Sequence, residues 1–278
     1  MKRLFNLCTT ALVLALTSCT TGNDQDLIPM TDHSETLLES SNVDLKTFQT
    51  DKLRMFKGPQ VQYGDGKLRS FVKLDVDNFP VEIGFIITQE VFENTAILPP
   101  EDILTVLPLH QKAREATPYE HLGVKWSQGH PPAFFAQHFD FYFYKISNDE
   151  RLAIPEYTLE TAANFTLYPP DGYMPADYGT PPGQGGVYPQ IGKHWLPLNL
   201  PDYLPFTSIM VLGTYNGSYI FDEPMATLDF LSSNPDFSSS FSQPELYEEE
   251  NNYPTRYNIY VDPKTEDVYV TLSHFVLR

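Results

Sequence analysis

The sequence predicts a mainly β protein, an antiparallel barrel or sandwich with a few short helices, and three observations carry that prediction. The stretch Gln137 to Ile146 reads QHFDFYFYKI. Side chains alternate sides along a strand, so His138, Asp140, Tyr142 and Tyr144 share one face while Phe139, Phe141 and Phe143 share the other. Seven or more segments of this kind, alternating or continuously apolar, are separated by turn residues rather than by long helical periods. Residues 168–205 hold nine prolines and six glycines, which excludes long helices and central strands there.

Taken in order, the folded part starts between Leu53 and Val61. Gly64-Asp65-Gly66 marks a turn into a strand on which Val72, Leu74 and Val76 alternate with Phe71, Lys73 and Asp75. Val81 to Thr88 is almost continuously apolar and reads as a strand buried on both faces. Glu90 to Ile97 reads as a short helix stopped by Pro99-Pro100. Leu122, Val124 and Trp126 give a third strand, which ends at Gln128-Gly129-His130-Pro131-Pro132 and delivers the chain into the aromatic strand. Asn148 to Leu152 reads as one helical turn. The excursion 168–205 follows, and irregular segments of that length usually cover a site or move. Phe206 to Leu212 and Ser218 to Phe221 flank Tyr215-Asn216-Gly217, the strongest short-range hairpin signal. Met225 to Leu231 suggests a short helix, Phe237 to Pro254 a polar surface loop, and Tyr257 to Val261 with Val268 to Leu277 a terminal hairpin.

Met1-Lys2-Arg3 followed by the apolar run around Ala11 to Leu16 reads as an export signal, too short for a mature membrane span. Its end, Leu16-Thr17-Ser18-Cys19, resembles a bacterial lipobox, which implies removal of residues 1–18 and lipidation of Cys19. Cys8 lies in the removed segment, so no thiol is left for a disulfide. Residues 19–55, rich in Thr, Ser, Asn and acidic side chains, read as a flexible tether, and 56–278 as a single β-rich domain. The chain carries 18 basic and 36 acidic residues, and loss of Lys2 and Arg3 takes the formal charge from −18 to −20. Such a field repels nucleic acid, so membrane contact is expected through the lipid anchor. The expected address is the bacterial cell envelope; Thr20 is not the aspartate associated with inner-membrane retention, which points to the outer membrane. Nothing in the chain bars a homo-oligomer.

Most of the interesting polar groups fall in Gly129-His130-Pro131, His138-Phe139-Asp140, Gly192-Lys193-His194-Trp195 and Asp222-Glu223-Pro224-Met225. These motifs resemble a domain-of-unknown-function family of exported bacterial proteins that includes a Thermus protein under sigma-E control. The family pattern runs GHPP, HFDFHFY, a glycine-His-aromatic turn, then a hairpin leading to EPM. Here it is met by GHPP at 129–132, HFDFYFY at 138–144, GKHW at 192–195 and TYNGSYIFDEPM at 214–225. Tyr142 stands where the pattern has a second histidine. The resemblance spans about 60–225 and implies an exported protein without a settled activity.

Residues two apart on a strand lie about 6.6 Å apart and can converge on one ion. His138 with Asp140 is therefore the plausible ligand pair, and a distant His194 completes a two-His, one-carboxylate composition suited to a divalent transition metal, zinc or iron. Glu223 is a further ligand, or a base acting on metal-bound water. His130, Tyr142, Tyr144 and Trp195 are expected to support the ligands or line a cavity for a small ligand. A metal-dependent hydrolase or oxygenase at the same place, and a non-catalytic structural or assembly module with a hydrogen-bonded polar row, are the competing readings. Gly183-Gln184-Gly185-Gly186 has no strand before it and no helix after it, so it fails as a phosphate loop.

Overall fold

A computed structural model describes residues 53–278. The export signal, Cys19 and all but the end of the expected tether lie outside the described residues. The first strand opens at Arg54, just inside the tether boundary at 55. Strands β1 (Arg54–Tyr63), β2 (Gly66–Leu74) and β3 (Pro80–Ile87) follow one another as antiparallel neighbours. Only two residues join β1 to β2, and Gly64 supplies the left-handed backbone, φ 59°, that so tight a reversal needs. The C-terminal strands β12 (Asp236–Ser240), β13 (Asn252–Val261) and β14 (Val268–Leu277) complete this sheet in the order β1-β2-β3-β14-β13-β12. The two ends of the domain are thus stitched by the β3–β14 pairing.

The middle of the chain builds the second sheet. Its strands are β4 (Thr105–Pro108), β5 (His121–Ser127), β6 (His138–Tyr144), β7 (Tyr178–Gly179), β8 (Val187–Tyr188), β9 (Gly192–Pro197), β10 (Ser208–Tyr215) and β11 (Ser218–Thr227). The order is β4-β5-β6-β11-β10-β9-β7, with β8 alongside β9. Both sheets are antiparallel, and neither closes on itself, so the architecture is a sandwich rather than a barrel. Five short helices sit in the connections: α1 (Glu90–Glu93), α2 (Gln111–Ala116), α3 (Asn148–Leu152), α4 (Ala162–Thr166) and α5 (Leu228–Leu231).

The aromatic strand is the hinge of the packing. Phe139, Phe141 and Phe143 turn into the space between the sheets with Val72, Ile83, Phe85, Leu122, Leu212 and Leu272. Phe85 meets Phe141 and Phe143 edge-on, with centroids 5.2 and 5.4 Å away, and Phe92 meets Phe139 the same way at 5.4 Å. Each such pair adds about 1 kcal/mol beyond its area burial. The opposite face of β6 is neither solvent nor an open wall. Tyr142 and Tyr144 pack there with Ile220 and Phe221 of β11 and with Ile154, Phe165 and Ile191 from the long connections, which together form a second apolar layer.

Several elements differ from the sequence expectation. The proline-rich excursion contains β9, an inner strand of the second sheet, because Pro189 and Pro197 bracket it instead of interrupting it. Residues 225–227 are strand, and helix α5 begins only at Leu228. Pro224 therefore sits inside a central strand. The β6–β11 ladder skips Glu223 and Pro224 and resumes at Met225, which is the rung a missing proline N–H removes. The expected surface loop 237–254 contains β12, an edge strand whose alternate serines face water. The hairpin at Asn216-Gly217 forms as read, with both residues at positive φ, 50° and 87°.

Candidate functional site

Three strands of the second sheet bring the expected residues to its outer face. On β6 the alternation puts His138, Asp140 and Tyr142 in a row. Phe221, Met225 and Thr227 of β11 pair with Tyr144, Asp140 and His138, which sets Glu223 beside Tyr142. Gly213 of β10 lies between His194 of β9 and Phe221 of β11. A Cβ at Gly213 would stand 1.9 Å from the Phe221 ring, so only glycine leaves room for that ring. Phe221 in turn packs edge-on against Tyr142 and His194, with centroids 5.2 and 5.3 Å away.

The polar groups resolve into two imidazole–carboxylate pairs. His138 Nε2 lies 3.5 Å from Asp140 Oδ1, and His194 Nε2 lies 3.0 Å from Glu223 Oε2. All four residues are buried, with exposures of 0, 7, 8 and 1 % in that order. The second contact is close enough for an ion pair, and beyond these facing contacts His138 Nε2, Asp140 Oδ1 and Glu223 Oε2 have no partner. Both rings are fixed from the other side. His138 Nδ1 sits 2.7 Å from the Ala136 carbonyl and His194 Nδ1 sits 2.9 Å from the Gly186 carbonyl. A carbonyl only accepts, so each Nδ1 carries the hydrogen. A neutral ring then aims a lone pair at a carboxylate, an arrangement that demands a proton or a cation.

Electrostatics follow from that arrangement. Burial alone would push His194 down, but the facing Glu223 more than offsets it and holds the imidazole pKa above its ordinary value. Burial raises the Glu223 carboxyl, His194 opposes the rise, and Asp140 adds to it. The pair shares its proton, and its titration belongs to both residues. Burial first, then the charges of Glu223 and Asp140, keep the Tyr142 phenol protonated far above its ordinary range.

The remaining expected residues are placed as follows. His130 lies over His138, ring centroids 5.4 Å apart, on a loop that Phe134 and Phe206 pack beside. Tyr144 continues the row, stacked on Tyr142 at 5.5 Å, and packs against His121 and Phe221 instead of against either imidazole–carboxylate pair. Trp195 does not line the row. It points to the other side of β9 from His194, gives its indole N–H to Thr214 Oγ1 and packs against the main core. Among the described residues no three His, Cys, Asp or Glu side chains are grouped to hold one ion together. The four expected ligands share a face, but as two pairs.

Sequence reasoning missed three participants. Lys125, opposite Asp140 on β5, rests its ammonium 5.2 Å from the Tyr188 ring centroid, and Tyr188 also packs edge-on against His194. Lys193 is fully buried, and its ammonium donates to the carbonyls of Pro181, Gly183 and Gly185 at 2.7, 2.8 and 2.7 Å. The glycine run is thus a cage for a lysine, and it ends at the Gly186 carbonyl that orients His194. His121 stacks on Tyr144 at 4.8 Å with both ring nitrogens unpartnered. Only the alternation of Lys193 with His194 on a strand would have hinted at the cage, and the prolines concealed that strand. No family model, no curated protein and no solved structure matches this chain.

Proposed function

We propose that this is a lipid-anchored envelope protein whose β domain takes up a divalent transition-metal ion, zinc or iron(II), at the outer-face row. His138 and Asp140 would supply two donors, and His194 and Glu223 two more. The lipobox at Cys19 and the acidic charge support the address. One observation carries the metal reading: in both pairs Nδ1 is tied to a backbone carbonyl while Nε2 faces a carboxylate oxygen. Metal-ligating histidines are oriented in that way, with the spare N–H given to a fixed acceptor. Donors bound about 2.1 Å from one ion stand roughly 3.0 to 3.4 Å apart, close to the 3.0 and 3.5 Å found in the two pairs.

The structural alternative is favoured by the separation of the donors into pairs, each of which a single proton also satisfies. Titration of the full chain with zinc and iron(II) separates the readings. The metal reading expects stoichiometric uptake with proton release, a melting temperature lowered by chelator, and loss of uptake in His138→Ala and His194→Ala. No uptake, together with melting indifferent to chelator, would leave the proton-linked structural module.

A further inference from the structure

Past the metal row, at the Tyr144 end of the same outer face, two buried side chains are left without the partners their chemistry requires. His121 stands opposite Tyr144 across β5 and β6 and stacks on its ring, with centroids 4.8 Å apart and planes 10° from parallel. It is 4 % exposed, and neither ring nitrogen completes a hydrogen bond, although the Ile146 backbone runs close by. Arg151 comes from helix α3, whose start is fixed by a capping box between Ser147 and Glu150. Its Cζ lies 5.9 Å from the centroid of the same Tyr144 ring, and the residue is likewise 4 % exposed.

The guanidinium is permanently charged, yet every partner it has is neutral. Nε and Nη2 both donate to Asn148 Oδ1, at 3.0 and 2.8 Å, and Nη1 donates to the Gln190 carbonyl at 2.6 Å. The fork has further N–H groups to give. Among the described residues no carboxylate forms an ion pair with Arg151. Buried charges are ordinarily paired, and a buried polar atom without a partner calls for an ion or a water. A cation at this place would be repelled by the guanidinium. A water would serve the imidazole but leave the charge uncompensated. A small anion accepts N–H groups from the guanidinium and from the neutral imidazole together, and the burial of both side chains bars a bulky one. We propose that Arg151 and His121 hold one small monoanion, of the halide class, beside the Tyr144 ring. The site shares no residue with the metal row and does not rest on that reading.

The test is chloride NMR on the full chain, in which exchange onto a protein site broadens the line of the free ion, with gluconate holding the ionic strength constant. Excess broadening that bromide displaces is expected for the parent. Arg151→Gln removes the charge and should abolish it. His121→Phe keeps the stacking on Tyr144 and should weaken binding about tenfold, through loss of one hydrogen bond to a charged partner. Should Arg151→Gln fail to fold, His121→Phe decides the matter alone. Binding at full strength in His121→Phe overturns the proposal. So does binding retained by a folded Arg151→Gln, or the absence of excess broadening in the parent.

Discussion

The carbonyl oxygen of Gly186 takes two hydrogen bonds from His194, one from its backbone N–H at 2.8 Å and one from Nδ1 at 2.9 Å. One acceptor therefore fixes both the strand position of His194 and the tautomer of its ring. That acceptor stands at the end of the 181–186 loop, which is gathered around the Lys193 ammonium. Exchange of Lys193 for methionine leaves three inward carbonyls without their donor. The expected result is a loss of about 2 kcal/mol in urea unfolding, with new protease cleavage between 181 and 186. A variant as stable as the parent, with no new cleavage, would show that the cage is not what orders the loop.

Glu223→Gln should lower the His194 pKa, since the neighbour that raises it is gone and burial remains. In the parent, a raised folded-state value means that stability from the imidazolium is complete below about 6.5 and fades as pH rises through the folded value. The buried Glu223 carboxyl, also raised, acts with the same sign. The high-pH decline in melting temperature should therefore flatten in the variant, and the His194 ring signals should titrate at lower pH. Unchanged titration would break the link between the two residues.

His121 supplies the opposite limb. Burial, with the Arg151 charge second, pushes its pKa down to about 4. The unfolded state then binds more protons between about 6.5 and 4, so stability falls on acidification through that window. The whole effect is about 3 kcal/mol. His121→Phe retains the stacking on Tyr144 and sacrifices no hydrogen bond. It should be distinctly more stable than the parent at pH 4 and little different at pH 7, by denaturant unfolding at both values.

Gly213→Ala should cost about 1 to 3 kcal/mol by overpacking, because the new methyl group meets the Phe221 ring. Displacement of that ring also disturbs His194 and Tyr142. Perturbed His194 signals with a lowered melting temperature would confirm the contact, whereas wild-type spectra would contradict it.

Much of the sandwich was legible. On β6 the period of two sorts phenylalanines from polar groups, and Asn216-Gly217 fixes the β10–β11 turn. Strand β9 was not, because proline density around it outweighs its own six residues. Strand β11 runs on past the expected end at Phe221, because at Pro224 the sheet gives up one rung instead of ending. At the site, His138 beside Asp140 follows from spacing along one strand. The meeting of His194 with Glu223 requires the register of three strands and the loop that seats Lys193, none of which local pattern encodes. Trp195 was placed in the row on motif adjacency, although neighbours on a strand face opposite ways.

Asp222 and Glu223 are consecutive acids on opposite sides of one sheet, the first turned to Tyr119, Tyr219 and Lys145 and the second to the imidazoles. They are joined by a single rigid peptide plane. Strand β11 is thereby a party wall, with one buried acid furnished by tyrosines and a lysine and its neighbour furnished by imidazoles.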